Sequence, residues 1–310
     1  MDPLSKINVE GDSTYVMMLE ATRRGWPTYW CTPDDLQVVQ CRPVAQAESV
    51  TTSDEEPFFT TRESTAMELG EFDCIWMRKD PPFDIHYIFS TYILDLAPPT
   101  TLVLNDPRSI KCANEKMYAL QWPDLCPPTT VTNRIREILE FAEEHQRVVV
   151  KPWDGNGGRG VLVTHVEDGN LRAIAELMTA EETEYCIVQR YLPEIKAGDK
   201  RILMVNGEAV PFCLARLPMA GENRGNLAAG GSGVVQPLSE RDQWIAAQVG
   251  PTLCEKGLLF VGLDVIGDYL TEINVTSPTC MREIDRAENT QIAEKVIAAI
   301  EVALVEHRAG

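Results

Sequence analysis

The sequence predicts an α/β protein whose first third alternates strands and helices and whose remainder is built largely of antiparallel strands. Three observations carry this. Short apolar runs at residues 74–77 and 102–104 alternate with helical stretches, the pattern of a mostly parallel sheet. Beyond Pro127, apolar and β-branched runs follow one another closely, several separated only by turn residues. At residues 258–279, two such runs are joined by Gly267-Asp268, a hairpin signal.

Taken in order, a helix starts near Asp12 or Ser13, carries Val16, Met17 and Leu19, and stops at Gly25. A strand over 28–31 follows. Residues 46–71 are polar and acidic with few strong signals and read as mostly loop. The strand at 74–77 ends in Arg78-Lys79-Asp80-Pro81-Pro82; the prolines stop it and leave charged residues at its C-terminal end, where ligands collect in open α/β sheets. Helices are expected over 85–96 and 108–121, on either side of the 102–104 strand. The second part holds a helix over 135–145 and strands over 147–151, 161–165, 184–189, 200–205 and 208–214. A helix over 239–256, bent at Gly250-Pro251, precedes the 258–275 hairpin, and a helix over 287–307 closes the chain.

A chain of 310 residues can bury a substantial core and has a length prior of about two domains. With 44% hydrophobic and 24% charged residues it should fold as an ordinary globular protein. The formal charge of −19 argues against nucleic acid or an anionic membrane as partner, so an anionic substrate must find a locally basic pocket. Nine scattered cysteines, with no Cys-x-x-Cys pair, fit reduced thiols in the cytoplasm better than disulfides or zinc. No basic-then-apolar leader opens the sequence, and no apolar run reaches about 18 residues.

Glu272 and Asn274 are two apart on one strand and leave the same face. Whether Asp264 joins them depends on the turn. A two-residue loop sets Asp264 opposite Thr271, on the other face; a three-residue loop sets it across from Glu272. Convergence would pack like charges unless a cation sat between them, and hard oxygen ligands with room for water suit Mg²⁺. The plainer alternative is a polar hairpin tip with its acids in water. Lys151 ends an apolar Val-Val-Val run and opens a loop with glycines at 155, 157, 158 and 160, which offers backbone N–H groups to phosphate or is simply a turn. It is neither a P-loop nor a dinucleotide fingerprint, since a strand follows it. Arg201 and Arg216 lie on successive strands, where surface arginines would contribute little. Residues 217–233 are rich in glycine and alanine, read as a mobile loop, and carry Arg224. Asp12 and Ser13 fit a helix N-cap equally well as a ligand contact.

These motifs occur in a recognisable order. Lys116 in Asn-Glu-Lys, Lys151 with its glycine loop, Val-Gln-Arg-Tyr-Leu-Pro at 188–193, and the Asp264, Glu272, Asn274 set resemble an ATP-grasp ligase. Met-Arg-Lys-Asp-Pro-Pro-Phe-Asp at 77–84, Gly-Asp-Lys-Arg at 198–201, Cys-Leu-Ala-Arg at 213–216, Arg-Gly-Asn-Leu-Ala-Ala-Gly-Gly at 224–231 and Thr-Glu-Ile-Asn-Val-Thr-Ser-Pro-Thr at 271–279 resemble the bacterial glutathione synthetases over nearly the whole chain. The resemblance implies an ATP-grasp fold: a doubly wound N-terminal substrate domain over 1–113, a small lid domain over 114–193 and a C-terminal antiparallel-sheet catalytic domain over 194–310. It implies ligation of γ-glutamylcysteine and glycine at the expense of ATP, through an acyl phosphate, in a homo-oligomer, tetrameric as such enzymes often are.

Residue by residue, it implies Lys116 and Lys151 on the ATP phosphates, with Gly155, Asn156, Gly157, Gly158 and Gly160 closing over them. Gln189, Arg190, Tyr191 and Leu192 would read adenine, and Asp199 would lie near the ribose. Asp264, Glu272 and Asn274 would hold Mg²⁺ or Mn²⁺. Arg201 and Arg216 would steady the transferred phosphoryl group. Asp12, Ser13, Arg78, Arg216, Arg224, Asn274, Ser277 and Thr279 would meet the peptide substrate. Relatives usually carry an apolar strand ahead of the Met-Asp-Pro with which this sequence opens, so a central strand is expected to be missing through an overlooked upstream start or an impaired chain. Other ATP-grasp ligases would share the lysines and metal set without the Arg78 and Arg224 motifs. A nucleotide binder without turnover, as in the synapsins, would not need the intact metal set.

Overall fold

Asp12 caps the first helix: its carboxylate accepts the Tyr15 amide at 2.7 Å, and α1 (Ser13–Arg23) follows. The computed structural model describes residues 1–309 except 156, 220, 223, 224 and 226–230. After α1 come β1 (Thr28–Trp30), β2 (Leu36–Val39), β3 (Arg42–Thr52) and β4 (Phe59–Glu68), all antiparallel and all paired to β3. The loop expected over 46–71 is therefore corrected to two long strands. In β3 the side chains of Ala45, Ala47, Val50 and Thr52 are buried, but β4 is almost wholly exposed, so no apolar alternation marks it. Its threonines supply the strand preference instead.

Next come β5 (Cys74–Trp76), α2 (Ile85–Leu94) and β6 (Leu102–Leu104). The parallel pairing expected of the first third is realised only between β5 and β6, because the neighbouring strands are joined by turns and pair antiparallel. Among the described residues β1 and β5 each end their sheet, and an apolar cavity of about 240 Å³, lined by Trp30, Ala47 and Ile75 among others, lies between them. The helix expected over 108–121 is also corrected. It stops as α3 (Pro107–Cys112), because the Asn114 side chain takes the amides of Lys116 and Met117, and only a 3₁₀ turn at Tyr118–Gln121 resumes. That break turns Lys116 towards the interior.

A second sheet, ordered β7-β10-β8-β9, comprises β7 (Thr129–Thr132), β8 (Arg147–Pro152), β9 (Leu162–His165) and β10 (Cys186–Arg190). Helices α4 (Ile135–His145) and α5 (Leu171–Met178) cover one face, packing Ile138 and Ala175 against Val148, Val150 and Val188. Alternation then turns Val149 and Lys151 to the opposite face.

The third sheet runs β13-β12-β11-β14-β15. Its strands are β11 (Asp199–Val205), β12 (Glu208–Leu217), β13 (Ser232–Pro237), β14 (Phe260–Ile266) and β15 (Tyr269–Asn274). Helix α6 (Glu240–Glu255) packs Ile245, Val249 and Leu253 with Ile202, Met204 and Leu263. It runs through Pro251, and Gly250 lies so close to Gly207 that a Cβ there would stand 2.1 Å from the Gly207 oxygen. The closing helix is corrected to two, α7 (Met281–Glu288) and α8 (Ile292–Ala309), parted where Asn289 takes a φ of +49°. No helix among the described residues is long and apolar enough to cross a membrane.

Asn105 ties these layers together. From the end of β6 its amide donates to the carbonyls of Phe260 (2.9 Å) and Val275 (2.8 Å) and accepts the Phe260 N–H at 3.1 Å, bracing both strands of the β14–β15 hairpin. Asn105→Ala leaves these buried backbone groups unpaired; it is expected to lower unfolding free energy by about 2–4 kcal/mol, read by urea titration.

Candidate active site

The hairpin that the sequence left ambiguous uses neither simple register. Ile266 pairs with Tyr269 across a two-residue turn whose first residue, Gly267, has φ +58°, the backbone a type II′ turn demands. Alone that would aim Asp264 away from Glu272. The register shifts between Asp264 and Val265, so Thr271 is an extra residue and Asp264 pairs with Glu272 after all. The Thr271 hydroxyl donates to the Asp264 carbonyl at 3.1 Å, fixing the bulge. Asp264, Glu272 and Asn274 thereby share one face, and the Asn274 amide donates to Asp264 Oδ2 at 3.2 Å.

Like charge on this face is met by the protein's own cations. Arg201 pairs with Asp264 across β11 and β14 and grips it with Nε at 2.5 Å and Nη2 at 3.0 Å. Arg216 reaches Asp264 Oδ2 at 3.0 Å and also bonds Asp199, its partner across β12 and β11. Burial alone would push the Asp264 carboxyl up, but the two guanidiniums together hold it well below the usual carboxylate range. Asp199 behaves oppositely. Burial pushes it up to about 6 against the pull of Arg216, and its Oδ1 is buried without a hydrogen-bond partner.

Across the cavity, Lys116 bonds the Glu115 carboxylate and the Gly155 carbonyl and stands 3.6 Å from Glu272. Glu115 is pushed up to about 7 by burial and then by repulsion from Glu272. Lys151 is buried at the end of β8, its Nζ 3.4 Å from Gln189 Oε1, and burial lowers its pKa. Gly155, Gly157 and Gly158 rim the space, and Gly157, Gly158 and Gly160 take positive φ.

Together these groups wall a cavity of about 390 Å³ between the second and third sheets. Its lining combines an apolar slot, made of Val149, Val163, Leu192, Ile195 and Ile266, with the charged groups. The expectation of a locally basic pocket needs correction. Among the described lining residues, Lys116, Lys151, Arg190, Arg201 and Arg216 face Asp80, Glu115, Asp199, Asp264 and Glu272, five cations against five carboxylates. A polyanion entering this balanced space needs counter-ions of its own. Hence the fit to a metal: no cluster of three or more His, Cys, Asp or Glu among the described residues is arranged as a metal site, but two carboxylates and an amide supply the hard oxygens that Mg²⁺ prefers.

The structure brings Lys116, Lys151, Gly155, Gly157, Gly158, Gln189, Arg190, Tyr191, Leu192, Asp199, Arg201, Arg216, Asp264, Glu272, Asn274, Ser277 and Thr279 to this one cavity. Gly160 stands just behind the rim, its Cα hydrogens facing Pro152. Asn156 and Arg224 lie outside the described residues. Asp12, Ser13 and Arg78 sit one layer back. Asp12 serves as the α1 cap, Ser13 Oγ is buried without a partner, and Arg78 is buried beside the rings of Trp76 and Phe260, where burial lowers its pKa to about 10. Its guanidinium bonds Thr14 and the carbonyl of Pro278, a cavity residue. Sequence reasoning missed Glu115, although it stands inside the quoted Asn-Glu-Lys, and the apolar slot, whose residues read as ordinary strand interior.

Comparison with known proteins shows the family and the fold. A family model described as "Prokaryotic glutathione synthetase, N-terminal domain" matches residues 1–111, and one described as "Prokaryotic glutathione synthetase, ATP-grasp domain" matches 115–289. The chain is 51% identical to the glutathione synthetase of Pseudomonas aeruginosa over 304 residues, 97% of this chain and 95% of that protein. It is 48% identical to that of Escherichia coli over 308 residues, 98% and 97% of the two chains. Among solved structures, the ATP-grasp ligase PsnB complexed with minimal precursor superposes with a TM-score of 0.61 over 96% of each chain at 16% identity, which shows the fold.

Asp264→Asn is expected to destabilise the protein by about 3–5 kcal/mol, because it leaves two buried guanidiniums without their shared carboxylate. Since the Asp264 pKa is depressed on folding, its contribution is fully present above the unfolded value of about 3.9 and fades as pH falls through the folded one. Urea midpoints of wild type and variant should therefore converge towards low pH.

Proposed function

The chain belongs to the prokaryotic glutathione synthetases, and from that premise we propose how its residues divide the reaction between them. It is an ATP-dependent ligase that joins γ-glutamylcysteine and glycine, yielding glutathione, ADP and phosphate through an acyl phosphate. The cysteinyl carboxylate attacks the γ-phosphate, and the glycine amine then displaces phosphate from the acyl group. No side-chain nucleophile is needed; positioning and charge stabilisation suffice.

In this reading the apolar slot takes adenine, beside the backbone of Gln189, Arg190, Tyr191 and Leu192. Asp199 takes a ribose hydroxyl, which would satisfy its unpartnered Oδ1. Lys116 and Lys151 hold the phosphates under the loop of Gly155, Asn156, Gly157, Gly158 and Gly160. Asp264, Glu272 and Asn274 hold Mg²⁺ or Mn²⁺, which when bound neutralises charge on the phosphates. Arg201 and Arg216, aligned by Asp264, stabilise the phosphoryl group in flight and the tetrahedral adduct that follows. Ser277 and Thr279 meet the dipeptide at the cavity wall. Arg78 backs them through Pro278, with Asp12 and Ser13 behind it, and Arg224 closes over the acyl phosphate to exclude water. We divide the chain into a substrate domain over 1–113, a lid over 114–193 and a catalytic domain over 194–310. The enzyme works in the cytoplasm as a homo-oligomer, a tetramer in this reading.

The observation that carries these roles is the meeting of Asp264, Glu272 and Asn274 with two arginines and two lysines in one cavity that also offers an apolar slot. Glu272 is partly exposed and its nearest cation is 3.6 Å away, so Glu272→Ala should fold normally. Turnover should fall on the order of 1,000-fold, measured as phosphate release beside an unchanged circular dichroism spectrum. Unchanged turnover would refute the metal assignment.

A further inference from the structure

γ-Glutamylcysteine carries a charged amine as well as its carboxylates. The carboxylates suit the cations of the cavity; the ammonium needs an acid, because a desolvated charge without an opposite partner is costly. Among the described residues the cavity is lined by Asp80, Glu115, Asp199, Asp264 and Glu272, and all but the first are engaged. Asp264 is clasped by Arg201 and Arg216, and Asp199 is held by Arg216. Glu115 bonds Lys116, and Glu272 stands 3.6 Å from the same lysine.

The Asp80 carboxylate is exposed and has no hydrogen bond or ion pair among the described residues. Its neighbour Lys79 pairs with Asp2 instead, at 3.0 Å. The Asp80 backbone is nevertheless fixed: its N–H donates to Asp2 Oδ2 at 2.9 Å, and its carbonyl accepts from the Lys79 ammonium at 2.7 Å. An unpaired carboxylate on a fixed backbone is preorganised for a cation. Its place in the cavity is set by Arg78, two residues earlier, which donates to the Pro278 carbonyl at 3.1 Å and so ties this segment to Ser277 and Thr279. The negative charge of Asp80 acts on Asp12, Arg78 and Tyr87, which puts it on the side built by the first part of the chain. Asp12, an acid on the same side, uses its carboxylate on the Tyr15 amide and does not line the cavity.

We propose that Asp80 selects the dipeptide by pairing with the α-ammonium of its γ-glutamyl residue, an assignment that rests on the reaction given above. Two amines enter the site, and their chemistry tells them apart. The glycine amine must give up a proton before it attacks the acyl phosphate, and a carboxylate beside it would hold that proton in place. The glutamyl amine takes no part in the reaction. Paired with Asp80 it stays protonated and is no nucleophile, so the acyl phosphate is left to glycine. A dipeptide without the amine is rejected, because it would cover the acid and leave it unpaired.

The test crosses two enzymes with two substrates. Wild type and Asp80→Asn are assayed for ligation of glycine to γ-glutamylcysteine and to glutarylcysteine, which lacks only the α-amine, with circular dichroism as the folding control. Wild type should favour γ-glutamylcysteine by roughly 10- to 100-fold in kcat/KM, and Asp80→Asn should lose that preference through a raised KM for the dipeptide, with KM for ATP and glycine kept within about twofold. If the asparagine variant fails to fold, Asp80→Ser is measured against the same criterion. A wild type that uses glutarylcysteine as well as γ-glutamylcysteine, or a folded variant that keeps the wild-type preference, overturns the role of Asp80 and leaves the reaction standing. A wild type that forms no glutathione from the complete mixture refutes the reaction itself, and the role of Asp80 with it.

Discussion

The Asp264 carboxylate, clasped by Arg201 and Arg216 in the middle of the third sheet, is the interaction on which the site turns. Taking three charges out of water is expensive, and an apolar cluster of the same volume would serve stability as well or better. What the ion cluster provides is orientation. One carboxylate sets two guanidiniums on one wall of the cavity while the paired strand holds Glu272 and Asn274 beside them. A space whose described lining sets five cations against five carboxylates is also a poor trap for a bare triphosphate and a suitable one for a triphosphate that arrives with divalent cations. Burial first, and repulsion from neighbouring acids after it, raises the pKa values of Asp199 and Glu115, which bound cations or hydroxyl donors would relieve.

The rest of the fold serves to hold this wall still. Alternation in β8 sends Val148 and Val150 into the core beneath α4 and α5 and Val149 and Lys151 into the cavity, so one short strand builds both hydrophobic anchor and cavity cation. Asn105 braces the hairpin from the far side. The break after α3, made by Asn114, converts what would have been two further helical turns into a pivot that delivers Lys116.

Much of this was legible in the residues. Lys151, the glycine loop and the Glu272–Asn274 pair could be read from their types and spacing, and the order of the motifs, Lys116 among them, resembled the family. The geometry that unites them was harder to see. A bulge of one residue at Thr271 reverses the side on which Asp264 lies, and nothing in a Val-Ile-Gly-Asp-Tyr-Leu-Thr run announces a bulge. β4 escaped detection because its side chains face water and leave no apolar period; the α7–α8 join escaped because Asn289 adopts the left-handed conformation without a glycine to mark it. The local balance of charge in the cavity could not be inferred from a net charge of −19, because contacts far apart in sequence create it.

The most direct test of the account is phosphate release by the purified chain supplied with ATP, Mg²⁺, γ-glutamylcysteine and glycine, with each omitted in turn. The account predicts sustained release only from the complete mixture, one phosphate for each glutathione formed. Sustained release without glycine or without the dipeptide would contradict it, because the site would then be hydrolysing ATP rather than protecting an acyl phosphate for the amine.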